Sequence, residues 1–465
     1  MSPAGAADSP GRGADSPGRG DESPGRGAVP RETLPGLLID GAAGIATLAG
    51  GLRRGAAQGD AAELARGGEL SVACWEGRIL AAGQAAEVQR QIANAGYAPE
   101  SFERLDAAGG FVTPGLIDSH THLLFAGTRE AEWQMRARGA GYLEVLAAGG
   151  GILSTVAATR AASEEELLAA GRRRLATMLA NGTTTVEAKS GYDLTTAGEL
   201  RLLDLAARLG RDGPMQIVPT FLGAHAVPAE YRDRPDAAGA YASAVVDEQL
   251  PQVARQGIAR FCDVFCERGV FSEEQSRRIL LAARQLGLSI RVHADELAPS
   301  GGAELAAEIG CLSADHLAAP STAGIAALAS AAEAGHAVVA TLLPATSWFL
   351  GKHHFAPARR LIDSGIPVAL ATDLNPGTSP TLSLPLVMSI ACLELGLTPA
   401  EALVAVTANA AHSLGLAASI GTIEPGKQAD LVVWDVPTLE QIPYWLGSAP
   451  VRAVIKRGLV AFERG

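Results

Sequence analysis

Lysine is nearly missing from this chain: of its 38 basic residues only four are lysine, Lys189, Lys352, Lys427 and Lys456. Set against so much alanine and glycine, the shortage reads as coding bias in the source genome and carries no functional meaning. Basic charge as a whole is in deficit. The formal net charge of −12 argues against nucleic acid as the main partner. Cysteine is sparse too, and the five residues (Cys74, Cys262, Cys266, Cys311, Cys392) form an odd, scattered set that excludes a disulfide framework. No uninterrupted apolar run reaches membrane-spanning length, and the N-terminus lacks the charged-then-apolar pattern of a signal peptide. No membrane partner is therefore expected, and the expected address is cytoplasmic.

What is present is the balance of a globular protein: 48% apolar and 19% charged residues in a chain of 465, long enough for two or three structural units. Residues 1–33 carry three copies of an SPGRG unit. Glycine, proline and charge without apolar residues cannot bury a core, so a disordered tail is expected there. From 34 to 114 short apolar pieces such as "LSVACWEGRILAAG" are separated by glycine-rich turns, the pattern of small antiparallel strands. The texture returns at the far end in "ADLVVWD" and "VRAVIKRGLVAF". The two ends, 34–114 plus 421–465, are expected to build one small β-sandwich-like domain around an insertion, 115–420.

That insertion alternates helix and strand. Three helix starts carry capping boxes: Ser163 to Glu166, Ser272 to Gln275, and Thr398 to Glu401 with Pro399 at the first helical position. Eight strand candidates follow in order: "LIDSHTH", "TTTVEAK", "MQIVPTF", "RFCDVF", "LSIRVHA", "LSADH", "AVVATLL" and "IPVALATD". Eight βα units predict a (β/α)8 barrel, an α/β fold whose reactive residues sit where strands end.

The chemistry-bearing residues fall at those ends. His120 and His122 close the first strand and, being two apart, should share a face. His293 closes the fifth with Asp295 and Glu296 behind it, Asp315 and His316 close the sixth, and Asp373 follows the eighth. Three neutral imidazoles and a carboxylate suit zinc or iron and leave room for water. Glu296 stands beyond the strand end, where it could take a proton from that water.

Each piece has a structural reading as well. A lone HxH is commonly structural, a strand-end histidine is commonly a satisfied polar residue, and "TDLNPG" is rich in turn formers. Their coincidence on four strand ends favours a site. His336 starts strand seven at the opposite face and reads as structural. His412 lies in an alanine-rich helix and reads as packing. His353 and His354 sit in a loop after strand seven, with lining of the mouth the weaker alternative. The Cys262–Cys266 spacing matches no common zinc motif. Lys189 raises the idea of a carboxylated lysine bridging two metals, but it follows strand two where such a bridge comes from strand four. One metal is expected.

"PGLIDSHTH" with the histidines of strands five and six and the aspartate of strand eight resembles the metal-dependent amidohydrolase superfamily. Within it, "HTHLLFAGTRE", "EAKSGYDL", "TFLGAHAVP", "VHADEL", "LLPATSWFLG" and "TDLNPGTSP" resemble the imidazolonepropionase family over residues 34–460. The resemblance implies a histidine-degradation hydrolase that opens 4-imidazolone-5-propanoate to N-formimidoyl-L-glutamate. It implies that His120, His122, His293 and Asp373 hold one Zn²⁺ or Fe ion per subunit. Arg129, Tyr192, His225, Glu296, Asn375, Gly377 and Thr378 would contact a small anionic heterocyclic substrate. Glu296, His316 and Asp373 would carry the catalysis, with His316 near the reacting carbonyl. A homodimer is left open. Two other readings stand beside this one: an amidohydrolase or deaminase for another small heterocycle, separable by a substrate panel, and a non-catalytic scaffold, whose mark would be lost ligands.

Overall fold

Apolar β-branched runs alternating with capped helices give the architecture its layers. The computed structural model describes residues 35–64, 69–140, 144 and 149–464, so the expected tail, 1–33, lies outside the described residues. Residues from Pro35 onward pack as one unit.

Its centre is a ring of parallel strands at the eight expected places: Leu116–Asp118, Thr183–Lys189, Gln216–Ala224, Phe261–Cys266, Val292–Ala294, Ser313–His316, Val339–Leu342 and Val368–Leu370. They pair in chain order from first to eighth, with the short piece Ser289–Ile290 leading into the fifth. The ring closes beyond the strand ends. Thr121 bridges Leu374 in parallel, the His122 N–H donates to the Leu374 carbonyl at 2.8 Å, and the Asp373 N–H donates to the His120 carbonyl at 3.1 Å. The residues that matter most for chemistry are thus also the seam of the barrel.

All three capping boxes form, with both the side-chain and the return bond present, on helices Glu164–Ala180, Glu273–Gln285 and Pro399–Ala405. Each helix turns an apolar stripe inward, Leu167, Leu168, Leu175 and Met178 on the first, Ile279, Leu280 and Ala283 on the second.

Both ends of the chain build two further sheets. One holds Gly36–Ala42, Leu70–Trp75, Arg78–Gln84 and Phe102–Asp106; the other joins Phe111–Pro114 and Gly44–Ala46 from the front to Leu431–Trp434 and Val451–Lys456 from the back. Leu37, Ile39, Val72, Val112, Leu431, Val433 and Ile455 form a common core between them. Each such side chain, fully buried, contributes roughly 1.5–3 kcal/mol. Two features differ from the antiparallel expectation. Gly36–Ala42 pairs in parallel with Phe102–Asp106, and Gly44–Ala46 with Phe111–Pro114, because long connections rather than tight turns join them. A helix, Ala85–Asn94, also interrupts the strands; Val88 and Ile92, four apart, bury its one apolar face.

Among the described residues no helix is long and apolar enough to cross a membrane, and all five cysteines are free thiols.

Candidate active site

Strand pleating brings four histidines and an aspartate to one end of the barrel. His120, His122, His293, His316 and Asp373 are all buried. Ligand atoms of His120, His122 and His293 lie within 4.8 Å of one another, as do those of His120, His316 and Asp373. His120 and His122 do share a face: the Nε2 of each stands 3.5 Å from the same Asp373 oxygen, Oδ1. The other Asp373 oxygen accepts from Thr346 Oγ1 at 2.7 Å.

The backbone is strained where it delivers these groups. Asp295 (φ +51°), His316 (φ +74°) and Asp373 (φ +52°) occupy the left-handed region, which non-glycine residues rarely adopt away from functional turns. Asp295 compensates by accepting from the Ser300 N–H at 2.6 Å and the Ala303 N–H at 3.0 Å, capping the next helix. Buried Glu267 accepts from the Leu297 N–H at 2.8 Å. Glu296 therefore stands on a loop fixed from both sides, its Oε2 3.6 Å from His316 Nε2. The two line one pocket together with Thr346 and Lys352.

Four buried ring nitrogens have no hydrogen-bond partner among the described residues: Nε2 of His120, Nδ1 of His122 and both nitrogens of His293, the Nδ1 of which makes an ion-pair contact with Asp263. Unsatisfied polar atoms in a protein interior cost stability, and a borderline metal ion takes imidazole nitrogens as ligands. The donor set fits such an ion. Burial holds His120, His122 and His225 well below the ordinary imidazole range, reinforced by Lys189 at His120, by His293 at His122 and by His122 at His225. Neutral rings are the metal-binding form. Burial acts against the charged form of His293 as well, but the Asp263 carboxylate, 3.0 Å from its Nδ1, outweighs it and raises the ring.

The remaining expected contacts arrange around this centre. His225 stacks on His122 at 4.7 Å between centroids, and Tyr192 stands 5.5 Å from His122. Burial, with Asp373 nearby, keeps the Tyr192 phenol protonated far above its usual range. Glu199 accepts from the N–H groups of Gly191, Asp193 and Leu194 and so fixes the loop that presents this ring. Asn375 is consumed by its own turn: its Oδ1 accepts from the Gly377 and Thr378 N–H groups at 2.9 and 2.8 Å, and its Nδ2 donates to the Asp373 carbonyl at 2.7 Å. Arg129 lies against that turn. A Cβ on Gly377 would collide with its Nη1, so only glycine lets the guanidinium lie there. One edge of the guanidinium is already engaged, with Nε and Nη2 donating to the two Glu132 oxygens at 2.8 and 2.7 Å.

Other sequence candidates fall elsewhere. His336, His353 and His354 are exposed, and His412 is half-buried in a short helix. Sequence reasoning named Lys189 and Asp315 singly but overlooked the charged layer they belong to on the inner faces of the strands. It consists of Glu187 and Lys189 from the second strand, Asp263 from the fourth, Arg291 from the fifth and Asp315 from the sixth, all fully buried. The available signal was spacing. Glu187 and Lys189 are two apart inside an apolar strand, as are Arg291 and His293, and a charge in a strand buried on both faces can only point into the barrel.

Comparison with known proteins agrees with this geometry. Residues 111–460 match the Amidohydrolase family. Imidazolonepropionase from Geobacillus kaustophilus is 50% identical over 389 residues, which cover 84% of this chain and 89% of that protein. Imidazolonepropionase from Symbiobacterium thermophilum is 48% identical over 430 residues, 92% of this chain and 98% of that one. Among solved structures, 5-methylcytosine deaminase from Klebsiella pneumoniae superposes with a TM-score of 0.67 at 16% identity, covering 92% of this chain and 98% of that one. That likeness concerns the fold alone.

Proposed function

The chain belongs to the amidohydrolase family, and from that premise we propose that it hydrolyses 4-imidazolone-5-propanoate to N-formimidoyl-L-glutamate in histidine degradation. The observation that carries this reading is the buried cluster of His120, His122, His293 and Asp373, with unpartnered ring nitrogens on all three histidines. It is supported by relatives of that name at 50% and 48% identity over most of the chain.

In this reading the four residues hold one zinc or iron ion. When bound, the ion supplies Lewis acidity that lowers the pKa of water from about 15.7 to near 7. Glu296 takes the proton of the attacking water, with Asp373 as the alternative acceptor, and returns it to the ring nitrogen that leaves. His316, 3.6 Å from Glu296, donates toward the reacting carbonyl oxygen. Tyr192 and His225 pack against the heterocycle and exclude water. The free edge of Arg129, set by Glu132 and Gly377, receives the propionate with the 375–378 turn.

We also assign 115–420 as the catalytic barrel and 34–114 with 421–465 as the β-domain. The free thiols fit a reducing, cytoplasmic compartment. The test is metal analysis of the purified full chain followed by an assay for loss of imidazolonepropionate absorbance and appearance of the formimidoyl product. Turnover of that substrate with about one ion per chain supports the reading. A metal-loaded protein that leaves it untouched while turning over another heterocycle overturns it.

A further inference from the structure

The charged layer beneath the histidines has no part in the chemistry above, yet its geometry addresses two of the rings. Lys189 Nζ donates to Glu187 Oε1 at 2.8 Å and to Asp263 Oδ2 at 2.7 Å. Arg291 donates to Asp315 Oδ2 through Nε at 3.2 Å and Nη2 at 2.7 Å. The same Nη2 also reaches the carbonyl of Ser119 at 2.8 Å, the residue before His120. From these two carboxylates the contacts pass to imidazoles. Asp315 Oδ2 lies 2.7 Å from His120 Nδ1, and Asp263 Oδ2 lies 3.0 Å from His293 Nδ1. The opposite nitrogens, Nε2 of both rings, are two of the four that lack a hydrogen-bond partner.

Two rings on different strands are thus treated alike. Each has a carboxylate oxygen within 3.0 Å of Nδ1, as a hydrogen bond at His120 and as an ion-pair contact at His293, a cation behind the carboxylate and an unpartnered Nε2. We propose that Lys189 and Arg291 are positioning residues for the metal centre, holding Asp263 and Asp315 so that His293 and His120 present Nε2. A carboxylate accepting from Nδ1–H fixes both the tautomer and the ring plane, and makes Nε2 the better donor to a metal. In a dry interior the carboxylates can do this only if opposite charge compensates them, and Lys189 and Arg291 are the compensating groups in reach. This gives Lys189 a different role from a bridging ligand: its nitrogen donates to two carboxylates of the layer.

The inference rests on the ligand set proposed above, and its test separates the two. The full chain is stripped of metal and titrated with Zn²⁺ alone in competition with a chelator. Lys189→Met and Asp315→Asn should each weaken Zn²⁺ binding by about 10–100-fold, the usual effect of removing the partner of a ligating histidine. The control is Lys456→Met. Lys456 is also buried and bonded to an aspartate, Asp430, at 2.7 Å, but in the terminal sheets. It should lower the thermal midpoint and leave Zn²⁺ affinity unchanged. A folded Lys189→Met that binds Zn²⁺ as the parent does makes the layer a structural ion network and overturns the proposal. If Lys189→Met does not fold, Asp315→Asn decides alone, with unchanged affinity again overturning it. His122 touches neither carboxylate, so His122→Ala reports on the ligand set by itself. If it keeps Zn²⁺ the ligand reading falls; if it loses Zn²⁺ while Lys189→Met does not, only the positioning role falls.

Discussion

The two buried lysines, one in the barrel and one in the terminal sheets, stand in opposite surroundings. Lys456 meets a single aspartate, Asp430, in the terminal sheets, whose shared core of Leu37, Ile39, Val72, Leu431 and Val433 is held together by leaving water. Lys189 stands among Glu187, Asp263 and Asp315, under histidines with unpartnered nitrogens. The sheets keep one compensated lysine–aspartate pair beside an apolar core. The barrel end keeps a charged layer and leaves polar atoms unsatisfied above it, which lowers stability and leaves donors free. One region is built to hold, the other to bind.

The comparison breaks most sharply at Glu296. Glu296→Gln keeps shape and hydrogen bonding but cannot accept a proton. Its kcat should fall by roughly 10²–10⁴, with metal content and thermal midpoint at parental values. Equal loss of metal would make Glu296 a ligand and Asp373 the proton acceptor. The converse experiment is Leu431→Ala, in the core between the sheets. It should cost about 2–5 kcal/mol in denaturant unfolding and leave turnover per bound metal unchanged. A matching fall in turnover would show that the sheets and the barrel end do not separate.

Smaller effects sharpen the comparison within the site. Arg129→Lys loses the planar fork and should raise KM by about 10–100-fold, the worth of a hydrogen bond to a charged group, with a lesser change in kcat. Glu132→Gln keeps an acceptor for the Gly151 N–H, weakens the support of Arg129 and should raise KM less. A substrate analogue without the propionate should not distinguish either variant from the parent; the same loss with that analogue would make Arg129 structural. The smallest change is expected at a surface cap far from both regions. Ser163→Ala removes the side-chain acceptor for the Glu166 N–H. It should lower stability by about 1 kcal/mol, read as a shift in midpoint, with kinetics untouched.

Much of this molecule is legible in the order of its residues. Period and punctuation locate all eight barrel strands, because a strand buried on both faces must be a short apolar run between turn signals. Capping boxes are readable because both partners lie within one turn of chain. Helix Ala85–Asn94 is not, because its apolar stripe is only Val88 and Ile92, weak beside the strand-like texture around it. The parallel pairs of the terminal sheets stay hidden because direction depends on which strand becomes the neighbour. So does the pairing of carboxylates with rings, since Asp263 is one charged residue in an apolar run and Asp315, though visible beside His316, meets His120 from another strand.

By itself the sequence determined the kinds of atoms available and the end of the barrel they would reach, since alternation and strand order follow from local chemistry. It set His120 and His122 on one face and put His293, His316 and Asp373 at the matching ends. The tertiary structure alone decided which carboxylate meets which ring. Asp315 reaches His120 across 195 positions of chain, and Asp263 reaches His293 across 30, a separation that the N–H···Oδ1 bond between the same residues spans. Such pairings depend on the register of neighbouring strands, a shift of one residue in which turns every side chain to the other face. No local pattern encodes that register; it is fixed only when all eight strands close.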